Sequence, residues 1–188
     1  EARQSYLRNT AILRTELIGR EGERVEILDF TPRFWSHARM YRPGAFVRLI
    51  RPLVGAPRIR IRLRPMADWG ERPAERTSGS NHIRYICDEC VLRLTTNVPV
   101  SQVFDERLFR LEKEVGLFLG PDEPFDGEIA STLHRMRDET EAYWRDWVRT
   151  LSIPVDWQEA VIRAAISLKL CAYEETGAIV AALTTSIP

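Results

Sequence analysis

The feature that most constrains this chain of 188 residues is a change in hydrophobic periodicity at residues 120–124, Gly-Pro-Asp-Glu-Pro. Two prolines, a glycine and two acids cannot continue a strand. Upstream, short segments such as residues 25–30 alternate apolar and polar side chains, which is the period of a half-buried strand. Downstream, apolar residues recur three or four apart, which is the period of a helix. The sequence therefore predicts an α+β chain, with an antiparallel β-sandwich over residues 1–120 followed by two long α-helices.

The helical part divides into two predicted helices. The first spans roughly residues 126–150, and its apolar stripe consists of Ile129, Leu133, Met136, Thr140, Tyr143, Trp147 and Leu151. The second follows Asp156, a candidate N-cap, and is apolar or small over most of its circumference, which predicts a buried helix. Gly177 suits the left-handed residue just past its C-terminus. Residues 178–182 then predict a short buried strand.

The strand-like part contains regular turn signals. Residues 6–17 and 25–30 predict a hairpin. Residues 65–80 are rich in proline, glycine and serine, which predicts a polar loop. One strand is predicted on each side of a turn at residues 87–90, and two more strands are predicted over residues 104–119. Short strands at regular spacing with turns between them are typical of a sandwich or a barrel.

Charge is distributed unevenly although the chain has a net charge of zero. Residues 1–120 carry 21 basic and 15 acidic residues, whereas residues 121–188 carry 6 basic and 12 acidic residues. The two parts therefore have net charges of +6 and −6. Halves of opposite sign can dock on each other, with the surface charges setting register more than affinity.

An arginine-rich stretch, residues 30–67, contains nine arginines and no acidic residue. Within it, Arg58, Arg60, Arg62 and Arg64 alternate with Ile59, Ile61 and Leu63, which puts the arginines on one face. One interpretation is a nucleic-acid or polyanion surface. The other is that the arginines pair with acids on neighbouring strands or on the acidic helical half. The zero net charge favours the second, and nucleic acid is not expected as a partner.

The residue types that carry chemistry are sparse. Cys87 and Cys90 form a lone CxxC without the second pair of ligands that zinc requires, so no metal is expected. Asp29 has no partner carboxylate nearby in sequence, and the histidines are scattered. There is no nucleophile elbow, phosphate loop or dinucleotide fingerprint. We therefore expect no catalytic residue and no cofactor in this chain.

Two further expectations concern aromatic residues and location. Trp35, Tyr41 and Trp69 lie in loop-like stretches, where exposed aromatic rings can stack on sugars, although packing is their commoner role. No apolar run reaches the length of about eighteen residues that a membrane span needs. We expect no membrane partner and a cytoplasmic location.

The segment TGAIVAALTTSIP (residues 176–188), preceded by AYWRDWV and AVIRAAISLKL, resembles glycoside hydrolase family 15. That family contains glucoamylases, glucodextranases and trehalase-like enzymes. The resemblance runs from about Tyr6 to Pro188 and departs from the family at Leu183, where a proline is expected. It implies a β-sandwich over residues 1–120 with its N-terminal part missing, a linker helix over residues 121–154, and the first helix and loop of an (α/α)6 catalytic barrel over residues 155–188.

The resemblance also implies a function, namely that this chain is a fragment of an inverting, exo-acting α-glucosidic hydrolase. Inversion uses two carboxyl groups roughly 6.5–9.5 Å apart, and both are expected beyond Pro188. Thr184, Thr185 and Ser186 are the predicted substrate contacts, at the rim of the sugar pocket. The expected partners are an oligosaccharide or disaccharide substrate and the missing barrel domain. The alternative is a stand-alone β-sandwich that binds a glycan or a polyanion.

Overall fold

The structure, a computed structural model, describes residues 1–181. It confirms the mixed α+β class, with a large antiparallel sheet and two long helices. In chain order the strands are β1 (Ala2–Tyr6), β2 (Leu13–Ile18), β3 (Arg24–Phe30), β4 (Phe34–Ser36), β5 (Arg39–Tyr41), β6 (Phe46–Val54), β7 (Arg58–Ile59), β8 (Met66–Ala67), β9 (Arg72–Pro73), β10 (Glu75–Ser78), β11 (His82–Ile86), β12 (Val91–Thr96), β13 (Phe109–Arg110) and β14 (Val115–Pro121). The helices are α1 (Val100–Phe104), α2 (Ile129–Arg149) and α3 (Gln158–Leu170).

Eight of these strands form one sheet in the order β1-β2-β3-β6-β14-β12-β11-β10. Every neighbouring pair in it is antiparallel. The remaining strands form three short pairs, β4–β5, β7–β13 and β8–β9. The hairpin β2–β3 and the turn at residues 87–90, where the Cys87 amide donates to the Cys90 carbonyl over 2.9 Å, were both predicted from the sequence.

Both faces of the sheet are covered, because successive side chains of a strand point to opposite faces. In β3, Val25 joins one apolar cluster, whereas Leu28 and Phe30 join another. The first cluster, the loop-side core, is completed by Ile61 and by residues of α1 and β11. The second, the helix-side core, is completed by Leu133 and other residues of α2. The sheet is thus the shared wall of two cores.

Helix α2 agrees closely with the prediction. It begins after Glu128, whose carboxylate accepts hydrogen bonds from the amides of Ala130 (3.0 Å) and Ser131 (2.7 Å). These bonds, that of Ser131 first, lower the pKa of Glu128. The buried side chains of α2 lie three or four apart: Leu133, Met136, Thr140, Trp144 and Val148. The inward tryptophan is therefore Trp144, while Trp147 of the predicted stripe is only partly buried.

Helix α3 differs from the prediction in three ways. It ends at Leu170 rather than near Thr176, and Trp157, not Asp156, occupies its N-cap with a left-handed backbone. Only Ile166 of α3 is fully buried, packed against Trp144 and Val148 of α2. The prediction of a buried helix is wrong for the described residues because α3 contacts the body along one side.

Two other local predictions are corrected. The stretch 65–80 is not a plain loop, since it contains β8, β9 and β10. Within residues 178–181, one isolated bridge between Ala172 and Ile179 replaces the predicted strand, and Ile179 is 55% exposed. Backbone pairing of β8 with β9 and of β10 with the next strand, β11, accounts for the first difference. None of the helices in residues 1–181 has the length and apolar character to cross a membrane.

Candidate functional site

Three carboxyl groups of the described residues, those of Asp29, Glu106 and Glu175, are paired with arginine side chains. Asp29, which has no partner carboxylate nearby in sequence, accepts two hydrogen bonds from the Arg48 guanidinium, over 2.7 and 2.8 Å. A general acid needs its pKa raised by burial. The pKa of Glu106 is instead lowered by its hydrogen bond with Arg64, and the pKa of Glu175 by its own amide and then by Arg42. Neither carboxyl group has the raised pKa that a general acid needs.

Nucleophile and metal chemistry are equally unsupported in residues 1–181. The Ser36 hydroxyl lies 3.1 Å from His37 Nδ1, but the pair is exposed on a hairpin turn, and no carboxylate of the described chain bonds the imidazole. Cys87 and Cys90 are free thiols, and burial raises the pKa of Cys87. Among the described residues, no group of three or more His, Cys, Asp or Glu side chains has a geometry that would hold a metal ion.

Part of the arginine-rich stretch pairs as the second interpretation predicted, since Arg48 and Arg51 pair with acids of the neighbouring strand β3, and Arg33 and Arg42 pair with acids of the C-terminal part. Among the described residues, Arg58 and Arg60 form no ion pair. Arg58, Arg60, Arg62 and Arg64 are exposed, while Ile59, Ile61 and Leu63 pack into the loop-side core. Glu106 binds Arg64 through two hydrogen bonds of 2.6 Å and lies 3.4 Å from Arg62. Over residues 58–64 the arginines thus lie on the surface and the alternating apolar residues lie in the core, although only Arg58 and Ile59 form a strand.

A cluster of polar side chains joins the segment between β3 and β4 to α2, to the end of α3 and to the C-terminal segment. We call it the Arg33 junction, and it consists of Arg33, Thr140, Tyr143, Lys169 and Glu174. The amide of Arg33 donates to the Thr140 hydroxyl over 3.1 Å, and its Nε donates to the Tyr143 hydroxyl over 3.1 Å. The Arg33 guanidinium pairs with the Glu174 carboxylate.

Electrostatics and stacking both favour this geometry. The Arg33 guanidinium carbon lies 5.5 Å from the ring centroids of Tyr143 and Trp144, within the range of cation–π attraction. The Lys169 ammonium lies 2.9 and 3.1 Å from the two oxygens of Glu174. Burial lowers the pKa of Lys169, and the charges of Arg33 and Arg42 lower it further. One carboxylate is therefore shared by two cations, of which Arg33 is buried.

A second ion pair lies one residue further along. Glu175, 64% exposed at its side chain, pairs with Arg42 of the arginine-rich stretch. From the sequence, adjacent acids such as Glu174 and Glu175 are expected to be solvated, so sequence reasoning missed both contacts. The sequence signal for these ion pairs was the opposite net charge of the two halves. Net charge does not identify which residues form the pairs.

The junction fixes a tight hairpin, Cys171–Val180. The Tyr173 amide donates to the Ala178 carbonyl (2.8 Å), and the Val180 amide donates to the Cys171 carbonyl (3.0 Å). Gly177 has a φ of +71°, a left-handed conformation that glycine adopts without strain. It lies in the hairpin turn rather than at a helix end. The predicted substrate contacts Thr184, Thr185 and Ser186 lie outside the described residues.

A cavity of about 640 Å³ lies beside the junction. Its lining combines aromatic and charged side chains: Tyr6, Asp29, Arg33, Arg42, Phe46, Arg48 and Trp144. The volume is in the range of small-molecule sites. All three arginines in this lining are paired with carboxylates, so the cavity offers rings and hydroxyls more than free charge.

The aromatic residues named from the sequence separate into two kinds. Trp69 is 80% exposed and Trp35 is 66% exposed. Tyr41 is partly buried and stacks on Phe34, with ring centroids 4.9 Å apart. Only the two tryptophans are available to a ligand.

Comparison with known proteins gives one partial similarity. A stretch of 50 residues, 27% of this chain, is 44% identical to a trehalase of Thermoplasma volcanium, and the match covers 8% of that protein. No protein-family model matches the chain, and no solved structure matches it. The similarity connects part of the chain with a trehalase and does not establish membership of family 15.

Proposed function

We propose that this chain is the non-catalytic N-terminal part of a glycoside hydrolase resembling family 15. The observation that carries the proposal is the 44% identity to a trehalase over 50 residues. In this proposal residues 1–120 form a β-sandwich domain, residues 121–154 a linker helix, and residues 155–188 the first helix and loop of an (α/α)6 catalytic barrel. The trehalase is far longer than the matched stretch, so the activity, substrate and partners of the whole protein are part of the proposal.

Two structural observations support it. A large sheet is followed by a long helix and then by a second helix, which is the order that the resemblance implies. The second helix, α3, and its N-cap residue also leave apolar side chains exposed, with Leu168 at 56% and Trp157 at 83%. Such residues are normally buried. Further helices of a barrel would cover them.

The proposed reaction is hydrolysis of an α-glucosidic bond with inversion. A general acid protonates the leaving oxygen while a general base activates water on the opposite face of the sugar, with the two carboxyls roughly 6.5–9.5 Å apart. In this proposal both carboxyl groups lie beyond Pro188. This chain would contribute the rim of the pocket through Thr184, Thr185 and Ser186, and no cofactor is required.

The test is to express the whole product of the source gene and to assay it on trehalose, maltodextrin and isomaltose. The anomer released is read by proton NMR within the first minutes. We expect β-glucose from at least one substrate, and none from the 188-residue chain alone, which is the matched control. Absence of glucose release from all three would contradict the proposal. Inversion is judged on maltodextrin, where early release of α-glucose would contradict it. Trehalose should give equal amounts of β-glucose, from the attacked unit, and α-glucose, from the leaving unit.

The exposed Trp35 and Trp69 favour one alternative, a glycan-binding module. Titration of the 188-residue chain with maltoheptaose, followed by tryptophan fluorescence, tests it. A saturable change that is lost in Trp69→Ala would support the alternative. A polyanion-binding module would instead be retained on heparin and released steeply by salt.

A further inference from the structure

Cys87 and Cys90 lie directly opposite each other at the end of the β11–β12 hairpin. The neighbouring pair of the ladder is Ile86 with Val91, and the Cys87 amide donates to the Cys90 carbonyl over 2.9 Å. Opposed, hydrogen-bonded residues of an antiparallel pair have Cα atoms about 5.5 Å apart and side chains on the same face. Disulfides most often bridge Cα atoms about 5.5–6 Å apart. The turn therefore presents two thiols that can be joined without a movement of the backbone.

The two thiols differ in exposure, and this difference separates their roles in thiol–disulfide exchange. Cys90 is exposed, whereas Cys87 is partly buried against the loop-side core. Burial raises the pKa of Cys87, and the neighbouring Cys90 raises it further. The thiolate is the attacking species, and attack also requires access. Cys90 is therefore the thiol that a dissolved disulfide meets first, and Cys87 is placed to attack the sulfur of Cys90 afterwards.

The turn between the two cysteines also holds a strained segment of the chain. Asp68 and Trp69 both have left-handed backbones, with φ of 52° and 53°, and non-glycine residues keep this conformation only where neighbouring groups hold it. The Asp88 carboxylate accepts a hydrogen bond from the Asp68 amide over 3.2 Å and pairs with Arg72. Asp88 lies between the two cysteines in sequence. A bond that fixes the turn therefore also fixes the anchor of the segment that carries the exposed Trp69.

We propose that Cys87 and Cys90 form a reversible redox site whose co-reactant is a small-molecule disulfide, and that its oxidation tightens the Asp88 anchor of the Trp69 segment. The Cys90 thiolate attacks one sulfur of the co-reactant, which forms a mixed disulfide and releases one thiolate. The Cys87 thiolate then attacks the Cys90 sulfur, which forms the Cys87–Cys90 bond and releases the second thiolate. The two cysteine protons end on the two released thiols, so one disulfide is reduced as the pair is oxidised. This site is independent of the proposed hydrolase function.

The first arm of the test incubates the 188-residue chain with oxidised glutathione, blocks the remaining thiols with N-ethylmaleimide and maps the products by peptide mass spectrometry. We expect a Cys87–Cys90 disulfide that dithiothreitol reverses. Cys87→Ser should stop at a mixed disulfide on Cys90, and Cys90→Ser should react about tenfold more slowly, because only the partly buried thiol remains. Cys171, which has no other cysteine nearby in sequence, is the internal control and should join neither of the two.

The same oxidation in urea tests whether the folded hairpin prepares the pair. Two cysteines three positions apart form some disulfide even in an unfolded chain, so the comparison is quantitative. The ratio of oxidised to reduced glutathione at half oxidation gives the effective concentration of one thiol at the other. We expect this effective concentration to be about tenfold or more higher in the folded chain, because the hairpin fixes distance and direction.

The second arm measures hydrogen exchange of the peptide 66–73, which contains the Trp69 segment. We expect its exchange to slow about threefold or more when the pair is oxidised. Asp88→Ala is the matched variant, since it should form the same disulfide and lose the slowing together with the anchor. A Cys87→Ser/Cys90→Ser chain treated with the same reagent is the control for the oxidant and should show unchanged exchange.

Three outcomes would overturn the inference. A mixed disulfide that persists on Cys90 of the parent chain means that Cys87 does not reach it. Equal effective concentrations in the folded and the unfolded chain mean that the hairpin does not prepare the pair. Exchange of the 66–73 peptide that oxidation leaves unchanged, or that slows equally in Asp88→Ala, means that the disulfide does not act through Asp88.

Discussion

Helix α2 approaches the sheet closely at Gly116 of β14, and this contact predicts a specific stability defect. A Cβ built at Gly116 lies 2.5 Å from Cδ1 of Leu133, a side chain with no solvent exposure. Carbon atoms make their best contact at about 3.5–4.0 Å. Gly116→Ala therefore forces the helix or the leucine to shift. Overpacking of a core costs about 1–3 kcal/mol of stability. Replacing glycine also restricts the unfolded chain, which stabilises the folded state by about 0.5–1 kcal/mol. We expect a net loss of about 1–2 kcal/mol in the free energy of unfolding.

The assay is urea unfolding followed by tryptophan fluorescence, with Trp144 in the helix as the reporter. Leu133→Ala alone should lose about 2–5 kcal/mol, because it removes a fully buried leucine and leaves a cavity. In the double variant the new methyl group occupies part of that cavity. The double variant should therefore lose less free energy of unfolding than the two single variants together, by about 1–2 kcal/mol. Gly44→Ala is the control, because nothing lies within 4 Å of a Cβ at Gly44 and its unfolding should hardly change. Additive losses within about 0.5 kcal/mol would refute the proposed contact.

Three further predictions concern single side chains. Thr140→Val keeps the shape but leaves the buried amide of Arg33 without an acceptor, so it should lower the free energy of unfolding by about 1–3 kcal/mol. Thr140→Ser should retain most of the stability. Equal losses in the two variants would contradict the role of the hydroxyl. The lowered pKa of Glu128 means that its stabilisation is complete above the ordinary pKa of 4.5 and is lost as the pH falls through the folded value; Glu128→Gln should flatten this part of the stability–pH curve, and an unchanged curve would contradict the capping role. Cys90 is exposed, whereas the pKa of Cys87 is raised by burial, so iodoacetamide should label Cys90 first when followed by peptide mass spectrometry, and faster labelling of Cys87 would refute this order.

Local periodicity determined much of the fold from the sequence alone. The start and end of α2 followed from its three-to-four spacing and from the break at residues 120–124, since backbone geometry fixes where each side chain of a helix points. The alternation at residues 58–64 separated core from surface for the same reason. The turn at residues 87–90 also followed from local composition. These features depend only on neighbours in the chain.

Tertiary structure decided the features that depend on distant residues. Which tryptophan of α2 faces the core, Trp144 or Trp147, depends on how the helix is rotated against the sheet. Helix α3 ends at Leu170, and the hairpin in which Glu174 contacts Arg33 and Lys169 replaces the last predicted turn of helix. Charge counts gave the two halves opposite net charges, but a Coulomb attraction has no direction. The partner of each arginine is fixed only when the strands are paired and the helices are packed, because those steps place the carboxylates within reach.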